Sequence, residues 1–254
     1  MIRLKSPEEI DRMRRAGAVV AAVFDEIAPL MQAGVSTYEI DHLAHEVIKR
    51  HGAIPSFLGF PGEFSPFPAA TCISIDSQVV HGIPSRDRIL EDGMIVSVDV
   101  GAILDDMHGD AARTYLVGEV DPEVRKLVEE TENSFWKGFE QATIGNRIGD
   151  ISHAVETHVK AFGYGVIEVL TGHGVGYDMH EDPSVPNFGR KGRGIRLAEG
   201  MTLALEPMIT LGSPRVQLER DGWTFVTRDG KPASHYENTF AITKQGPIVL
   251  TASC

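Results

Sequence analysis

Two acidic residues, Asp99 and Asp110, stand in a stretch whose pattern predicts a β-hairpin. Apolar residues at every second position surround Asp99 in the run IVSVDV, which is the period of a strand. Asp105 and Asp106 favour a tight turn, so the two acids are expected on facing strands with their side chains close together. A buried carboxylate is costly unless a cation accompanies it. The hairpin alone therefore permits two interpretations: a metal site, or a structural arrangement in which one acid pairs with Arg113 and the other is exposed.

Two glutamates and two histidines in the second half of the chain could join these acids. Glu206 lies in MTLALEPMIT and Glu237 in SHYENTFAIT, and both stretches are predicted to be strands with the glutamate inside. His173 lies between glycines in TGHGVG, and His180 follows seven residues later. The glycines do not indicate a dinucleotide-binding loop, because no helical pattern follows them.

If the four carboxylates converge, they need cationic partners, because an unpaired buried charge costs several kcal/mol. Basic residues near these strands are few (Arg113, Arg215, Arg220). Oxygen-rich ligation with one imidazole suits Mn²⁺, Fe²⁺ or Co²⁺, and also Zn²⁺. Two such ions about 3.5–4 Å apart would activate a bridging water and polarise a carbonyl or phosphoryl oxygen.

Each half of the chain is predicted to begin with two helices. In the first half both helix starts carry a capping box, and a glycine ends the second helix (Ser6 with Glu9, Ser36 with Glu39, Gly52). In the second half the helices are expected from Asp121 and from about Asp150 to Phe162. A strand with a His-Gly pair and strands carrying acids follow in both halves. This weak internal repeat predicts two halves, approximately 1–118 and 119–254, with their acids in one central site.

Four phenylalanines lie in the proline-rich stretch 55–70, which cannot form a helix (Phe57, Phe60, Phe64, Phe67). They could line an apolar pocket, or the loop could simply be tucked onto the core. The sequence of this stretch does not decide between the two.

The net charge of −12, without a basic run, argues against strong nucleic-acid binding. Cys72 and Cys254 cannot build a disulfide framework, which fits a reducing cytoplasm. The apolar run after RMRR is better explained as the buried face of the first helix than as a signal peptide, because acidic residues flank it on both sides. No apolar run is long enough to span a bilayer.

Five motifs in this order resemble the type I methionine aminopeptidases: VVHGIP at 79–84, SVDVG with HGDAART at 97–114, TGHGVG with HEDP at 171–183, LALEP at 203–207 and HYENTFAIT at 235–243. The resemblance covers nearly the whole chain. It implies an α+β "pita-bread" fold, a single catalytic domain in which two pseudo-symmetric αβ halves with antiparallel sheet enclose a dinuclear metal site.

The resemblance also assigns roles to individual residues. Asp99 resembles the bidentate ligand of one metal, Asp110 and Glu237 the bridging carboxylates, and His173 and Glu206 the ligands of the other metal. His81 and His180 resemble the two histidines that contact the substrate without binding metal. The cofactors implied are two divalent ions, which could be Co²⁺, Mn²⁺, Fe²⁺ or Zn²⁺.

The implied reaction is metal-dependent removal of the initiator methionine from the N-terminus of a nascent polypeptide, with a small second residue preferred. A metal-bridging hydroxide would attack the first peptide bond, with Glu206 as the proton acceptor. His180 would stabilise the oxyanion, and His81 would contact the scissile nitrogen.

Several positions depart from the family's usual pattern. Phe60 stands where the methionine pocket commonly has tyrosine, and Met179 where phenylalanine is common. Cys72 matches a pocket cysteine and Trp223 an aromatic near the site. His235 and Asn238 flank Glu237 where Gln and His are common. These changes concern pocket shape and metal tuning and leave the ligand set intact.

Three alternatives compete with this interpretation. Aminopeptidase P and prolidase share the catalytic fold but normally carry an additional N-terminal domain. Type II methionine aminopeptidases have a helical insertion for which the interval from His180 to Glu206 leaves no room. A non-catalytic binding protein on this fold would usually have lost ligands. A cytoplasmic monomer is expected, whereas the physiological metal and any contact with the ribosome stay open.

Overall fold

The computed structural model describes residues 2–252, so Met1, Ser253 and Cys254 lie outside the described residues. Four α-helices occur in this range: α1 (Pro7–Ile27), α2 (Thr37–Arg50), α3 (Pro122–Phe139) and α4 (Ile148–Lys160), with a 3-10 turn at Ala28–Leu30. Within the same range no helix is both long and apolar enough to cross a membrane. The predicted pair of helices at the start of each half is confirmed.

The helix starts follow from local hydrogen bonds. The Ser6 hydroxyl accepts from the Glu9 N–H while the Glu9 carboxylate accepts from the Ser6 N–H, and Ser36 and Glu39 form the same capping box. Helix α4 starts two residues before the expected Asp150, because the Asp150 carboxylate accepts from the Arg147 N–H at 2.8 Å and so caps the helix from inside its first turn.

Fifteen strands in the described part of the chain form four antiparallel sheets. They are β1 (Ile54–Pro55), β2 (Thr71–Ile75), β3 (Gln78–Val80), β4 (Ile95–Leu104), β5 (Met107–Leu116), β6 (Gly165–Val166), β7 (Gly172–Gly174), β8 (Glu181–Val185), β9 (Thr202–Leu205), β10 (Met208–Thr210), β11 (Val216–Leu218), β12 (Phe225–Thr227), β13 (Ala233–His235), β14 (Asn238–Thr243) and β15 (Gly246–Val249). Strand β4 pairs with β5 along its whole length and with β1 and β2 on its other edge. The remaining sheets have the orders β13-β10-β6, β11-β12-β3 and β15-β14-β9-β7-β8.

The predicted continuous strands around Glu206 and Glu237 are wrong. Glu206 and Pro207 separate β9 from β10, while Tyr236 and Glu237 separate β13 from β14. In each case the chain passes from one sheet to another: β9 and β14 pair in the five-stranded sheet, whereas β10 and β13 pair in a three-stranded one. Both glutamates therefore lie where two sheets diverge, and Pro207 could not donate a ladder hydrogen bond there.

The helices cover the sheets through two main apolar clusters. One joins α1 and α2 to the β2, β4 and β5 strands, and the other joins α3 and α4 to the five-stranded sheet. Helix α1 lies especially close to β5, because a Cβ on Gly109 would come within 2.7 Å of the Gly17 nitrogen. Asp99 and Asp110 thus lie on a strand pair that packs closely against α1.

Candidate metal centre

One cavity gathers every residue to which a site role was assigned from the sequence. It encloses about 550 Å³, counted to its open mouth. Its polar lining consists of the acids and histidines Asp99, Asp110, Glu206, Glu237, His81, His173 and His180, and its apolar lining of Phe57, Phe60, Phe67, Cys72, Met179 and Trp223. Phe57 and Phe67, which the sequence placed only in a loop that could line a pocket, belong to this lining as well.

The β4–β5 hairpin presents two of the carboxylates. Asp99 is paired with Ala112 and Asp110 with Gly101, so the two acids lie diagonally across adjacent strands. The turn between the strands is formed by Asp105 and Asp106, both in the left-handed region with φ of 51° and 61°. The predicted hairpin and turn are confirmed.

Glu237 reaches the same place through backbone pairing to β5. Its N–H donates to the Ala112 carbonyl at 3.0 Å, and its own carbonyl accepts from the Ala112 N–H at 3.3 Å. Thr239 adds a second tie, since its hydroxyl donates to the Asp110 carbonyl at 2.8 Å. The side chains of Glu237 and Asp110 are 2% and 3% exposed, so both carboxyl groups are withdrawn from water.

Arg113 does not neutralise these acids. Its guanidinium donates to the carbonyls of Ala112 and Glu237 and to the side-chain oxygen of Asn238. Within residues 2–252 no lysine or arginine forms an ion pair with any of the four carboxylates. The structural alternative, in which Arg113 bridges one acid of the hairpin, is therefore wrong.

His173 is oriented as a neutral imidazole with a free lone pair. Its Nδ1 lies 2.8 Å from the Gly174 carbonyl, which can only accept, so Nδ1 carries the hydrogen. Its Nε2 then faces Asp110 Oδ2 at 3.6 Å and Glu206 Oε1 at 3.7 Å. Burial, and then the neighbouring His180, lower the pKa of His173 to about 3. A backbone partner on one ring nitrogen commonly fixes a metal-binding histidine in this way.

The electrostatics of the protein alone disfavour four ionised acids. Burial raises the pKa of Asp99 to about 7 and that of Glu206 to about 8, although both side chains border the cavity. Burial, followed by repulsion from the neighbouring carboxylates, raises the pKa values of Asp110 and Glu237 well above their usual range. Divalent cations would remove this penalty.

The donor set fits such ions. Four buried polar atoms that face the cluster have no hydrogen-bond partner within the described residues: Asp99 Oδ1, Asp110 Oδ1, Glu237 Oε1 and His235 Nε2. Two groups of potential ligands occur, Asp110 with His173 and Glu237, and Glu206 with His235 and Glu237, and within each group the ligand atoms lie within 4.8 Å of one another. Both groups contain Glu237, so the carboxylates and imidazoles form one connected cluster of potential ligands.

His81 lines the cavity beside Trp223. It follows β3 with φ of 59°, a conformation that non-glycine residues rarely adopt, and its carbonyl accepts from the Thr224 hydroxyl at 3.3 Å. Its ring lies edge-on to Trp223 and Phe225, with centroid separations of 6.3 and 6.1 Å. Burial, and then the nearby His235 and His180, lower the pKa of His81 to about 4, so the ring is neutral at pH 7.

His180 lies at the mouth of the cavity, immediately before β8. Its ring centroid is 4.4 Å from that of His173 and 5.3 Å from that of Phe60, which it meets edge-on. Met179, next to it in the chain, is buried among the apolar lining. His180 thus lies between His173, at the polar end of the cavity, and Phe60, in its apolar lining.

The apolar wall is formed largely by the loop that carries the phenylalanines. Phe67 meets Trp223 edge-on at 5.2 Å, and the Trp223 indole donates to the Ser65 carbonyl at 3.2 Å. Cys72 is paired with Asp99 across β2 and β4, so the wall and the acids meet there. Phe64 is 74% exposed and lies outside the cavity. Of the two interpretations of this loop, the pocket holds for three of the four phenylalanines.

Known proteins resemble this chain over its whole length. A sequence model of metallopeptidase family M24 matches residues 11–244. The chain is 50% identical over 251 residues to the methionine aminopeptidase of Clostridium acetobutylicum, covering 99% of each sequence. The solved structure of a methionine aminopeptidase from Thermotoga maritima matches with a TM-score of 0.96 and 41% identity, covering 100% of both chains.

A prolidase from Pyrococcus furiosus matches with a TM-score of 0.79 at 22% identity, covering 99% of this chain and 66% of the prolidase. At that identity the likeness concerns the fold alone. Together with the Thermotoga structure it confirms the α+β pita-bread fold.

Proposed function

The chain belongs to metallopeptidase family M24, and we propose on this premise that it is a methionine aminopeptidase, which removes the initiator methionine from the N-terminus of nascent proteins. The observation that carries this proposal is the convergence of four carboxylates and His173 at the floor of an apolar cavity, with no basic residue to neutralise them within residues 2–252. An apolar cavity that ends at a cluster of metal-ligating groups fits a methionine side chain next to a peptide bond.

Two divalent cations are the cofactors that we propose for this floor. Asp99 and Asp110 would hold one ion, His173 and Glu206 the other, and Asp110 and Glu237 would be shared between them. Ions bound there supply an activated water and polarise the scissile carbonyl. Carboxylate and imidazole ligands suit Mn²⁺, Fe²⁺, Co²⁺ and Zn²⁺, among which availability decides.

The side chains of the site would then carry out the proton transfer and the hydrogen bonding that the reaction needs. The attacking water adds to the carbonyl carbon and gives its proton to Glu206. His180 donates a hydrogen bond to the oxyanion that develops on the scissile carbonyl. His81 contacts the scissile nitrogen, and the C–N bond breaks as that nitrogen takes up the proton that Glu206 accepted from the water.

The cavity also accounts for the choice of substrate. Phe60, Phe67, Cys72, Met179 and Trp223 form the apolar wall that would receive the methionine side chain. The free α-amino group would lie near Asp99, which restricts cleavage to the first peptide bond. We propose a preference for a small second residue, as the resemblance to the type I methionine aminopeptidases implies.

The partner implied is the N-terminus of a nascent chain. We propose that the protein is a monomer and that the reaction takes place in the cytoplasm. Buried Cys72 fits a reducing compartment. The net charge of −12 disfavours broad contact with rRNA.

Metal-stripped protein that is reloaded separately with Mn²⁺, Fe²⁺, Co²⁺ or Zn²⁺ tests this function. The substrates are a Met-Ala peptide, its N-acetylated form, a Met-Leu peptide and an Ala-Pro peptide. Metal-dependent release of methionine from unblocked Met-Ala alone is the expected result. Cleavage of Ala-Pro would instead assign the chain to the prolidase-like enzymes, and no cleavage with two bound ions would favour a non-catalytic binding protein.

A further inference from the structure

His235 presents a second imidazole to the carboxylate cluster. Its side chain is 2% exposed, and its Nε2 has no hydrogen-bond partner among residues 2–252. The backbone is fixed on both sides by Thr114, whose hydroxyl accepts from the His235 N–H at 3.1 Å and donates to the His235 carbonyl at 2.8 Å. The backbone of His235 is thus tied to β5, the strand that also carries Asp110.

The distances around this nitrogen match those around His173. The His235 Nε2 lies 3.5 Å from Glu206 Oε2 and 3.7 Å from Glu237 Oε2. The His173 Nε2 lies 3.6 and 3.7 Å from its own two carboxylate oxygens. Two ligand atoms at about 2.0–2.2 Å from one ion are separated by about 3.0–3.6 Å. For each imidazole the shorter distance falls within this range and the 3.7 Å distance lies just beyond it, so both imidazoles stand close to the separation expected of groups that share an ion with two carboxylates.

We propose that His235 is an additional metal ligand, which binds one ion of the centre together with Glu206 and Glu237. This inference rests on the proposed metal centre. A second imidazole makes the centre less purely oxygen-based, and imidazole ligands suit Zn²⁺ and Fe²⁺ whereas carboxylates suit Mn²⁺. His235 therefore shifts the preference of the centre away from Mn²⁺ and toward Zn²⁺ and Fe²⁺.

A hydrogen bond from His235 to a carboxylate explains the geometry less well. N–H···O bonds span 2.7–3.2 Å, and both oxygens lie beyond that range. Asn238, the other unusual residue beside Glu237, turns away from the centre, because its side-chain oxygen accepts from Arg113 at 2.6 Å and from Thr251 at 2.9 Å. Of these two departures, only the one at 235 changes the donor set of the centre.

A crystal structure of the wild-type protein loaded with Zn²⁺ tests the assignment directly, with the ions located by anomalous scattering. We expect the His235 Nε2 at about 2.1 Å from one zinc peak, the ordinary Zn–N distance. A nitrogen more than about 3 Å from every zinc peak would overturn the proposal, since that is the position of a hydrogen-bonding neighbour rather than a ligand.

Calorimetric titration of metal-stripped protein gives a solution test. His235→Gln keeps a polar side chain of similar length, and His180→Gln is the matched control that removes a different imidazole from the same cavity. Loss of a supporting neighbour typically weakens metal binding by about 10–100-fold. We expect His235→Gln to weaken one Zn²⁺ site by at least ~100-fold and Mn²⁺ binding by less, while His180→Gln changes Zn²⁺ affinity less than about 3-fold. Equal losses for Zn²⁺ and Mn²⁺, or equal losses in the two variants, would contradict the proposal.

These measurements need no substrate, so they are independent of peptide hydrolysis. A zinc-bound His235 in a protein that releases no methionine would leave this inference standing and refute the proposed function. Methionine release from a protein whose His235 does not bind zinc would do the reverse.

Discussion

Asp99 and Asp110 lie diagonally across one antiparallel strand pair, because Asp99 is paired with Ala112 and Asp110 with Gly101. One hairpin thus brings two carboxylates to the same face, and backbone pairing of Glu237 with Ala112 adds a third. Regular strand geometry brings these acids together, but it supplies no positive charge to offset the free-energy cost of burying them.

Replacing Asp110 by asparagine is expected to lower metal affinity by at least ~100-fold, because an amide keeps the shape but removes the charge that both ions would share. Metal content per chain and calorimetric titration measure this. Asp106→Asn, in the exposed turn of the same hairpin, is the control and should bind metal like the wild type. Two ions held by Asp110→Asn at wild-type affinity would remove Asp110 from the ligand set.

Substituting His81 should separate catalysis from metal binding. Asparagine is the appropriate replacement, because His81 has φ of 59° and asparagine tolerates the left-handed region better than alanine does. We expect kcat to fall by about 10²–10⁴-fold, the usual contribution of a positioned acid–base group, with both ions retained. His51→Asn, at the exposed end of α2, is the control. Unchanged kcat with full metal content would exclude the role given to His81.

Two phenylalanines of one loop should behave differently. Phe60 lines the cavity beside His180, whereas Phe64 is 74% exposed and lies outside it. Phe60→Ala is expected to raise KM for a Met-Ala peptide by about 10-fold, since a partly buried aromatic contact is worth about 1.5 kcal/mol. Phe64→Ala should change KM less than about 2-fold. Similar KM values for the two variants would refute this assignment of the pocket wall.

Metal binding should also increase the free energy of unfolding. Because the ions would bind the native cluster and not the unfolded chain, metal at 100 times its Kd adds about 2.7 kcal/mol to the free energy of unfolding. For a chain of this size that corresponds to a rise in Tm of about 5–10 °C for metal-stripped protein on addition of Mn²⁺. NaCl at equal ionic strength is the control. An unchanged Tm would mean that the acids do not form a metal site in the folded protein.

Gly17 should be a packing requirement of α1. A Cβ at this position would lie 2.0 Å from the Leu250 carbonyl oxygen. Helix propensity alone predicts that Gly17→Ala stabilises the protein by up to about 1 kcal/mol, whereas overpacking predicts a loss of about 1–3 kcal/mol. We expect the loss, measured as a lower denaturant midpoint with an unchanged slope. A gain would show that α1 can move away from the chain at Leu250 without cost.

The sequence was most informative where structure is local. The capping boxes at Ser6 and Ser36 and the turn at Asp105 and Asp106 depend on neighbours within a few residues, and all were predicted. The divergence of two sheets at Glu206 has only Pro207 as a local signal, because the apolar residues on either side of Glu206 and Pro207 do not show that the two ends pair in different sheets.

The site shows the same division. The motifs predicted that the acids and histidines meet in one site. They did not predict the contacts of Arg113 and His235, which depend on distant partners. The Arg113 guanidinium donates to the carbonyl of Glu237 and to Asn238, and the backbone N–H of His235 donates to the Thr114 hydroxyl. Neither contact has a local signal, since the partners are more than 100 residues apart.

We expect this cluster, when it holds divalent cations, to cleave the peptide bond that follows an N-terminal methionine. The most direct test of this expectation is methionine release, followed by mass spectrometry, from a Met-Ala peptide and from the same peptide N-acetylated, with metal-stripped protein before and after addition of Mn²⁺. We expect release only from the unblocked peptide and only after the metal is added. Equal release from both peptides, or release that does not depend on the metal, would contradict it.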